Sequence, residues 1–265
     1  MSNTENQNLT SEIPPEQMGF NSRFQFECHK GVKCFTNCCR GISLMLTPYD
    51  ILTMKNRLKL TSEEFLAIYT KPELLEKADL PVVTLKLLDD DKESCPFVHD
   101  TDGCTIYEDR PTTCRYYPLG VGSLSYANEL DEKEEFFFQI KESHCFGFEE
   151  KKEWTVAEWR QDQGVDLRDE INEGWANLIV RKKSLPPSMI LSEETKKMFF
   201  MVCYNIDKFK QFVFESSFLE RYDIEDELIE KIKQDEIELL KFGFDWLKAM
   251  LFDTGQEKFR VKDKS

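Results

Sequence analysis

Eight of the nine cysteines in this chain of 265 residues lie before residue 146, and their number and spacing suggest metal chemistry. The densest stretch, FECHKGVKCFTNCCRG, places four thiols within twelve residues. Thiolates bind soft or borderline metals, and four of them fill a tetrahedral zinc site or hold one iron-sulfur cluster. The candidate metal ligands are Cys28, Cys34, Cys38, Cys39, Cys95, Cys104, Cys114 and Cys145.

The later cysteines form a second group, spread over three short motifs. Cys95 begins CPFVHD, Cys104 and Cys114 enclose the segment TIYEDRPTT, and Cys145 lies in SHCFG. Eight thiols suffice for two four-thiolate sites, or for one such site with the remaining thiols nearby in redox or structural roles.

Neighbouring Cys38 and Cys39 point in diverging directions on most backbones, so they serve two centres more readily than one. The paired C-x2-C turns of zinc ribbons do not occur in this sequence. Irregular loops suit iron-sulfur ligation at least as well, and we favour an iron-sulfur cluster slightly over zinc. His29, His99 and His144 neighbour the cysteines, but surface positions are the simpler interpretation.

Arg110 and Arg115 flank an Arg-Pro turn beside Cys114 and are the candidate cofactor-binding residues. Guanidinium groups donate to anionic acceptors, so these two could neutralise a thiolate cluster or hold an anionic group. The alternative is an ordinary surface ion pair with Glu108 or Asp109.

Charge and hydropathy limit the kinds of partner that the chain could bind. A formal net charge of -15 argues against nucleic acid, which is bound through clustered Lys and Arg. No apolar run approaches the 18 or so residues of a membrane helix, and the polar N-terminus does not resemble a secretory signal. We therefore expect a cytoplasmic protein, in which reduced thiols bind metal rather than form disulfides.

The coarse pattern predicts an α+β, mostly helical fold. A small cysteine-rich metal-binding region with short strands is followed by an α-helical C-terminal half. We predict a disordered tail over residues 1–20, a metal-binding domain over 21–150 and a helical region over 151–265. The expected short strands cover residues 82–88, 105–107 and 136–140.

Capping residues and hydrophobic periodicity place the helices. Thr47, Thr61 and Thr155 are typical of helix N-caps, and Gly164 of a helix end. Further helices are predicted over 166–183, from Ser192 through residue 213, and over 224–252. Cys203, on the apolar stripe of the second of these, is expected to be a small buried hydrophobe.

The two cysteine motifs resemble the CxxCxxCC family, a zinc- or iron-chelating domain that also occurs in flagellin lysine N-methylases. The similarity rests on FECHKGVKCFTNCC, on CPFVHDTDGCTIYEDRPTTCRYYP and on Cys145, and covers about residues 24–148. The x5 and x3 spacings of the first motif depart from the tighter spacing of the family name. The resemblance implies metal binding, and it leaves the reaction unassigned.

Three functions fit these observations. The first is a metal-binding protein in electron transfer, metal handling or protein interaction. The second is a lysine N-methylase-like methyltransferase. Cys34 and Cys38 have the spacing of the first two cysteines in radical methyl-donor enzymes. The position of the third cysteine is occupied by Gly41, which argues against this second function. The third is a helical scaffold with a structural metal, whose acidic C-terminal half recruits a basic protein partner.

Overall fold

Helices make up most of the fold, and the short strands are concentrated before residue 156. The computed structural model describes residues 16–125, 133–186, 188–252 and 258–262. The α-helices are α1 Pro48–Leu58, α2 Ser62–Tyr69, α3 Thr112–Tyr116, α4 Val156–Gln163, α5 Val165–Ser184, α6 Glu193–Tyr204, α7 Ile206–Glu215, α8 Phe218–Arg221, α9 Asp226–Gln234 and α10 Glu236–Phe252.

The strands are short and form five small antiparallel sheets among the described residues. A three-stranded sheet has the order β2-β4-β3, and the two-stranded sheets are β1-β9, β5-β6, β7-β8 and β10-β11. Their bounds are β1 Arg23–Gln25, β2 Met45–Leu46, β3 Thr70–Leu75, β4 Leu80–Leu85, β5 Val98–His99, β6 Gly103–Cys104, β7 Leu119–Ser125, β8 Lys133–Gln139, β9 Glu153–Thr155, β10 Tyr222–Asp223 and β11 Arg260–Val261. This confirms the predicted α+β, mostly helical class.

The predicted helix starts are confirmed, because three threonines form complete capping boxes. Thr47, Thr61 and Thr155 each accept a hydrogen bond from the backbone N–H three residues later. In each case the acidic side chain at that later position accepts from the threonine N–H in return. Two otherwise unpaired backbone donors are thus satisfied at every start. Gly164, with a φ of 62°, ends α4 as predicted.

The two long C-terminal helices predicted from periodicity are wrong, since each is broken into two. Asn205 separates α6 from α7, and its side chain accepts from the Lys208 N–H at 3.2 Å. Asp235 separates α9 from α10, and its carboxylate accepts from the N–H groups of Ile237 at 2.8 Å and Glu238 at 3.3 Å. Asn and Asp compete for backbone donors, so each starts a new helix within a continuous apolar stripe.

The predicted strand over 105–107 is also wrong. The chain pairs only up to Cys104, and the N–H and hydroxyl of Thr105 both donate to the Phe97 carbonyl. It then turns, with Asp109 N–H donating to the Ile106 carbonyl at 2.8 Å. The other two predicted strands correspond to β4 and β8.

Two hydrophobic cores hold the described residues together. The larger one packs α1, α2 and the three-stranded sheet against the C-terminal helices, and it includes Cys203, which is 1% exposed as predicted for a core residue. The smaller one lies under the hairpin of β7 and β8 and consists of Phe24, Phe26, Tyr116, Leu119, Phe137, Val156, Trp159 and Val165.

The predicted tail reaches only partly into the described region. Residues 1–15 lie outside it. Met18 exchanges backbone hydrogen bonds of 2.7 and 2.8 Å with Phe137, and the Phe20 ring contacts the Phe137 ring edge-on. Within the described ranges, every helix is too short or too polar to cross a lipid bilayer.

Close helix packing leads to a first prediction, at Gly243 on α10. A Cβ atom there would lie 2.6 Å from Val202 Cγ1 and 2.8 Å from Phe209 Cε1. Gly243→Ala should therefore lower the free energy of unfolding by about 1 to 2 kcal/mol, overpacking outweighing the gain in helix propensity. Urea denaturation measures the change, with exposed Lys248→Ala on the same helix as the control. A more stable Gly243→Ala protein would contradict this packing.

Candidate metal centre

The predicted ligands lie in loops and short elements that surround one region. The first motif ends in a 3-10 turn, Asn37–Cys39. Cys104 lies in β6, and Cys114 lies on α3. Cys145 lies two residues before another 3-10 turn, Gly147–Glu149. All nine cysteines are free thiols.

The first thiol group consists of Cys28, Cys34 and Cys145. The Phe146 N–H donates to the Cys34 sulfur at 3.1 Å. Next to it, the Glu27 N–H donates to the Gly147 carbonyl at 3.1 Å. These two hydrogen bonds align the segment around Cys28 with the segment around Cys145, although more than a hundred residues separate them in sequence.

The second thiol group consists of Cys39, Cys95, Cys104 and Cys114. The Cys95 N–H donates to the Cys39 carbonyl at 2.8 Å, so the two cysteine motifs meet directly through their backbones. The pairing of Cys104 with Val98 places it across the β5-β6 hairpin. Cys114 completes the group from α3, where the charges of Cys95 and Cys104 act on it.

Electrostatics confirm that the thiols within each group are neighbours. Burial and the charges of Cys38, Cys34 and Cys145 raise the pKa of Cys28 to about 11. Burial likewise raises the pKa of Cys95 to about 11, with a contribution from Cys104. A cation would relieve this accumulation of negative charge, which is what a metal site requires.

Cys38 and Cys39 lie where the two groups adjoin. A hydrogen bond from Cys39 lowers the pKa of Cys38 to about 7, with a further lowering by the Arg40 charge. The reciprocal bond raises the pKa of Cys39. The Cys38 charge acts on Cys28 in the first group and on Cys114 in the second. This dipeptide is therefore the junction of the site.

Backbone N–H groups point at three of the sulfurs. The N–H groups of Phe97 and Val98, two and three residues further on, act on the Cys95 thiol and oppose the rise that burial causes in its pKa. Ile106 and Gly147 act in the same way on Cys104 and Cys145, each two residues on. Such donors favour the thiolate form, so the local backbone is arranged for ligation.

A buried hydroxyl adds a further donor at the first thiol group. The hydroxyl oxygen of Tyr117 is inaccessible to solvent and makes no hydrogen bond of normal geometry with the described residues. It lies next to Cys145, and burial together with that thiol raises the pKa of Tyr117. A metal-bound thiolate accepts hydrogen bonds, so the Tyr117 hydroxyl is placed to donate to Cys145 when that thiol binds a metal.

The separation of the sulfurs bears on the kind of metal. Among the described residues, no three cysteine sulfurs lie within 4.8 Å of one another, and the set that meets this limit is Glu27, His29 and Glu150. A tetrahedral zinc site with Zn–S bonds of about 2.3 Å would place its sulfurs about 3.8 Å apart. The thiols are thus gathered, but more widely than around one ion.

The three histidines are exposed and pair with carboxylates. His29 Nε2 lies 3.7 Å from Glu150, His99 Nδ1 lies 3.1 Å from Asp102, and His144 Nε2 lies 3.3 Å from Glu142. The His29 Nδ1 atom also accepts from the Gly31 N–H at 3.0 Å. These contacts agree with the surface interpretation of all three.

The two candidate arginines are bound to protein groups. Arg110 is 7% exposed and donates to the Tyr107 carbonyl at 2.7 Å and to the Gln163 side chain, while its guanidinium lies 3.8 Å from the Tyr107 ring. Arg115 donates to the carbonyl oxygens of Arg110, Glu108 and Gln163. Arg110 is also close enough to lower the pKa of Cys104 against the effect of burial.

A buried network that we did not predict supports Cys114. Asp50 is fully buried and accepts from the Thr112 N–H at 2.8 Å, from the Thr112 hydroxyl at 2.7 Å and from Arg168 at 2.9 Å. Thr112 begins α3, two residues before Cys114. One feature of the sequence could have indicated this network. Arg168 is a charged residue on the buried face of α5, one turn before Ile171.

A second unpredicted cluster holds the other end of α3. The Tyr116 hydroxyl donates to Asp169, and both bind the Arg160 guanidinium, with 2.8 Å from Arg160 to Asp169. The Trp159 ring N–H donates to the Tyr116 carbonyl at 3.1 Å. Helices α4 and α5 therefore clamp the short helix that carries Cys114.

Residues 27–153 match the model of the CxxCxxCC family, described as "Putative zinc- or iron-chelating domain". The N-terminal half of the chain is thus a cysteine-cluster, metal-chelating domain. This segment matches the CxxCxxCC family model, as the resemblance over 24–148 predicted. No curated protein matches the chain, and no solved structure does.

Proposed function

We propose that this protein binds an iron-sulfur cofactor through its cysteine-cluster domain and acts in redox chemistry or metal handling. The observation that carries the proposal is the convergence of eight free thiols from distant segments, joined by direct backbone contacts such as that between Cys95 and Cys39. The proposed ligands are Cys28, Cys34, Cys38, Cys39, Cys95, Cys104, Cys114 and Cys145.

The separation of the sulfurs supports iron-sulfur over zinc. Four thiolates around one zinc ion must approach to about 3.8 Å, whereas in a four-iron cluster each thiolate binds a different iron and stands farther from the others. The wider spacing between the thiols favours the cluster. The N–H groups aimed at Cys95, Cys104 and Cys145 add to this, since hydrogen bonds to sulfur tune cluster potentials.

An iron-sulfur cofactor, when bound, supplies one-electron chemistry. The chain supplies the charge balance and the rigid support. Arg40 and Arg110 offset the negative charge of Cys38 and Cys104, respectively. We therefore propose that Arg110 neutralises the cluster, which is the first of the two roles considered for it. Arg115 braces the Arg-Pro turn through carbonyl oxygens.

Two further predictions accompany the proposal. We propose a cytoplasmic location, where reducing conditions keep all these thiols free. The domain boundary near residue 150 also remains a prediction, and the contacts of α3 with α4 and α5 cross it.

The test is the optical spectrum and metal content of protein purified without oxygen. We expect a brown protein with broad thiolate-to-iron absorption, containing iron and acid-labile sulfide in similar amounts. Cys203→Ala is the control, because that buried thiol lies in the hydrophobic core and should not change the spectrum. A colourless protein with stoichiometric zinc would refute the iron-sulfur assignment and retain metal binding. Protein free of both metals would refute the proposal.

A further inference from the structure

We propose that the eight thiols hold two separate metal centres. Cys28, Cys34, Cys38 and Cys145 bind one, and Cys39, Cys95, Cys104 and Cys114 bind the other. The inference rests on the proposed function and goes beyond it, because metal binding alone requires no particular number of centres.

The backbone contacts separate the thiols into two neighbourhoods. The Phe146 N–H bonded to the Cys34 sulfur, at 3.1 Å, joins the first motif to the Cys145 segment. The Phe26 ring closes this neighbourhood, since a Cβ atom on Gly147 would lie 2.6 Å from Phe26 Cε2. Cys28 therefore lies near Cys145, and Lys30, two residues further on, reaches Asp102 in the turn of the β5-β6 hairpin at 3.0 Å.

The other neighbourhood is built from different contacts. Besides the 2.8 Å bond between Cys95 and Cys39, the Gly41 N–H donates to the Glu93 carbonyl at 3.0 Å. The end of the first motif therefore lies antiparallel to the residues before Cys95. An isolated antiparallel β-bridge pairs Arg40 with Ser94 in the same segment. Cys39 is thus fixed on the side of the second motif.

The Cys38-Cys39 dipeptide divides the two sets. Two consecutive side chains rarely bind the same metal ion, so the dipeptide supplies one ligand to each of two adjoining centres. Cys39 is held by its own carbonyl beside Cys95, so the exposed Cys38 is the thiol left for the first centre. Adding Cys38 to the three thiols of the first group produces four ligands on each side, the number that a four-thiolate cluster or a four-thiolate zinc site requires.

Metal content of single variants tests the number of centres. Relative to the wild type, Cys28→Ala and Cys104→Ala should each lose half of the bound metal, measured by elemental analysis on anaerobically purified and reconstituted protein. Combining the two changes should lower the content to less than about a tenth. Cys203→Ala should retain all of it. Loss of nearly all metal in either single variant would show one shared centre and overturn the inference.

Double variants test the assignment of the dipeptide. Cys28→Ala with Cys38→Ala affects only one centre, so this protein should keep half of the wild-type metal. Cys28→Ala with Cys39→Ala affects both centres and should keep almost none. The reverse result, or equal loss in both, would overturn the assignment of Cys38 and Cys39.

Native mass spectrometry of the unmodified protein is independent of whether the variants fold. Two centres predict bound mass equal to two clusters, or two zinc ions, per chain. Bound mass equal to one cluster or one ion overturns the two-centre inference and leaves the proposed function intact. Absence of any bound metal overturns both.

Discussion

Removing the metal should lower the melting temperature of this protein by about 8 to 16 °C. A ligand that binds the native state alone at about 1,000 times its dissociation constant contributes about 4 kcal/mol, and each kcal/mol is worth about 2 to 4 °C in a protein of this size. Differential scanning calorimetry on metal-loaded and chelator-treated protein measures the shift.

The loss of stability on metal removal should be confined to the loops that carry the cysteines. The smaller core contains eight buried side chains, among them Phe26 and Tyr116, and the thiol groups hold its surrounding loops together. Cys95, Cys104 and Cys114 pack against the larger core, but most of that core is formed by other apolar side chains. Hydrogen exchange should therefore accelerate over residues 26–41, 93–117 and 142–150 in the metal-free protein, while α5, α6 and α10 remain protected.

The matched control is Cys203→Ala, which keeps the metal and should keep the slow exchange of the cysteine loops. It also shows how much a buried thiol contributes by packing alone, since Cys203 is 1% exposed within the larger core. Identical exchange in loaded and stripped protein would show that the metal does not organise these loops.

The second large effect is expected at Arg168. Its 2.9 Å ion pair with Asp50 joins side chains that are 6% and 0% exposed, and Arg168→Met would leave the Asp50 carboxylate buried without a cation. Breaking a buried pair from one side costs about 3 to 5 kcal/mol. We expect the free energy of unfolding to fall by that amount, as measured by urea denaturation with the metal bound.

Two comparison variants make this test specific. Arg23→Met removes an exposed ion pair with Glu153 and should cost less than about 1 kcal/mol. Asp50→Asn combined with Arg168→Met removes both charges, so it should be more stable than Arg168→Met alone. Equal stability of Arg168→Met and Arg23→Met would mean that the buried pair does not hold α3 in place.

Local features of the sequence were sufficient to predict part of the fold. The capping threonines, such as Thr61, bind only to residues three positions away, so their pattern alone locates the helix starts. Cys203 was placed in the core by its position on an apolar stripe. The breaks at Asn205 and Asp235 were missed, because side-chain caps can interrupt a helix without altering its hydrophobic periodicity.

The partners of the arginines were beyond the reach of sequence. Arg110 and Arg115 were expected to meet an anion or a surface carboxylate, yet both bind Gln163, about fifty residues away, at the end of α4. The same holds for Asp50, whose role as the acceptor for Thr112 and Arg168 needs three helices to meet. Such pairings depend on how elements pack and leave no local pattern.

Residue types and their order were enough to indicate metal binding, through an unusual number of thiols and the similarity to the CxxCxxCC family, and to indicate the α+β, mostly helical class. Only the tertiary structure decided which thiols are neighbours, that Cys38 and Cys39 stand between two groups, and that α4 and α5 clamp Cys114. The physical reason is that metal affinity resides in residue types, whereas ligand grouping is set by backbone contacts between segments far apart in the chain.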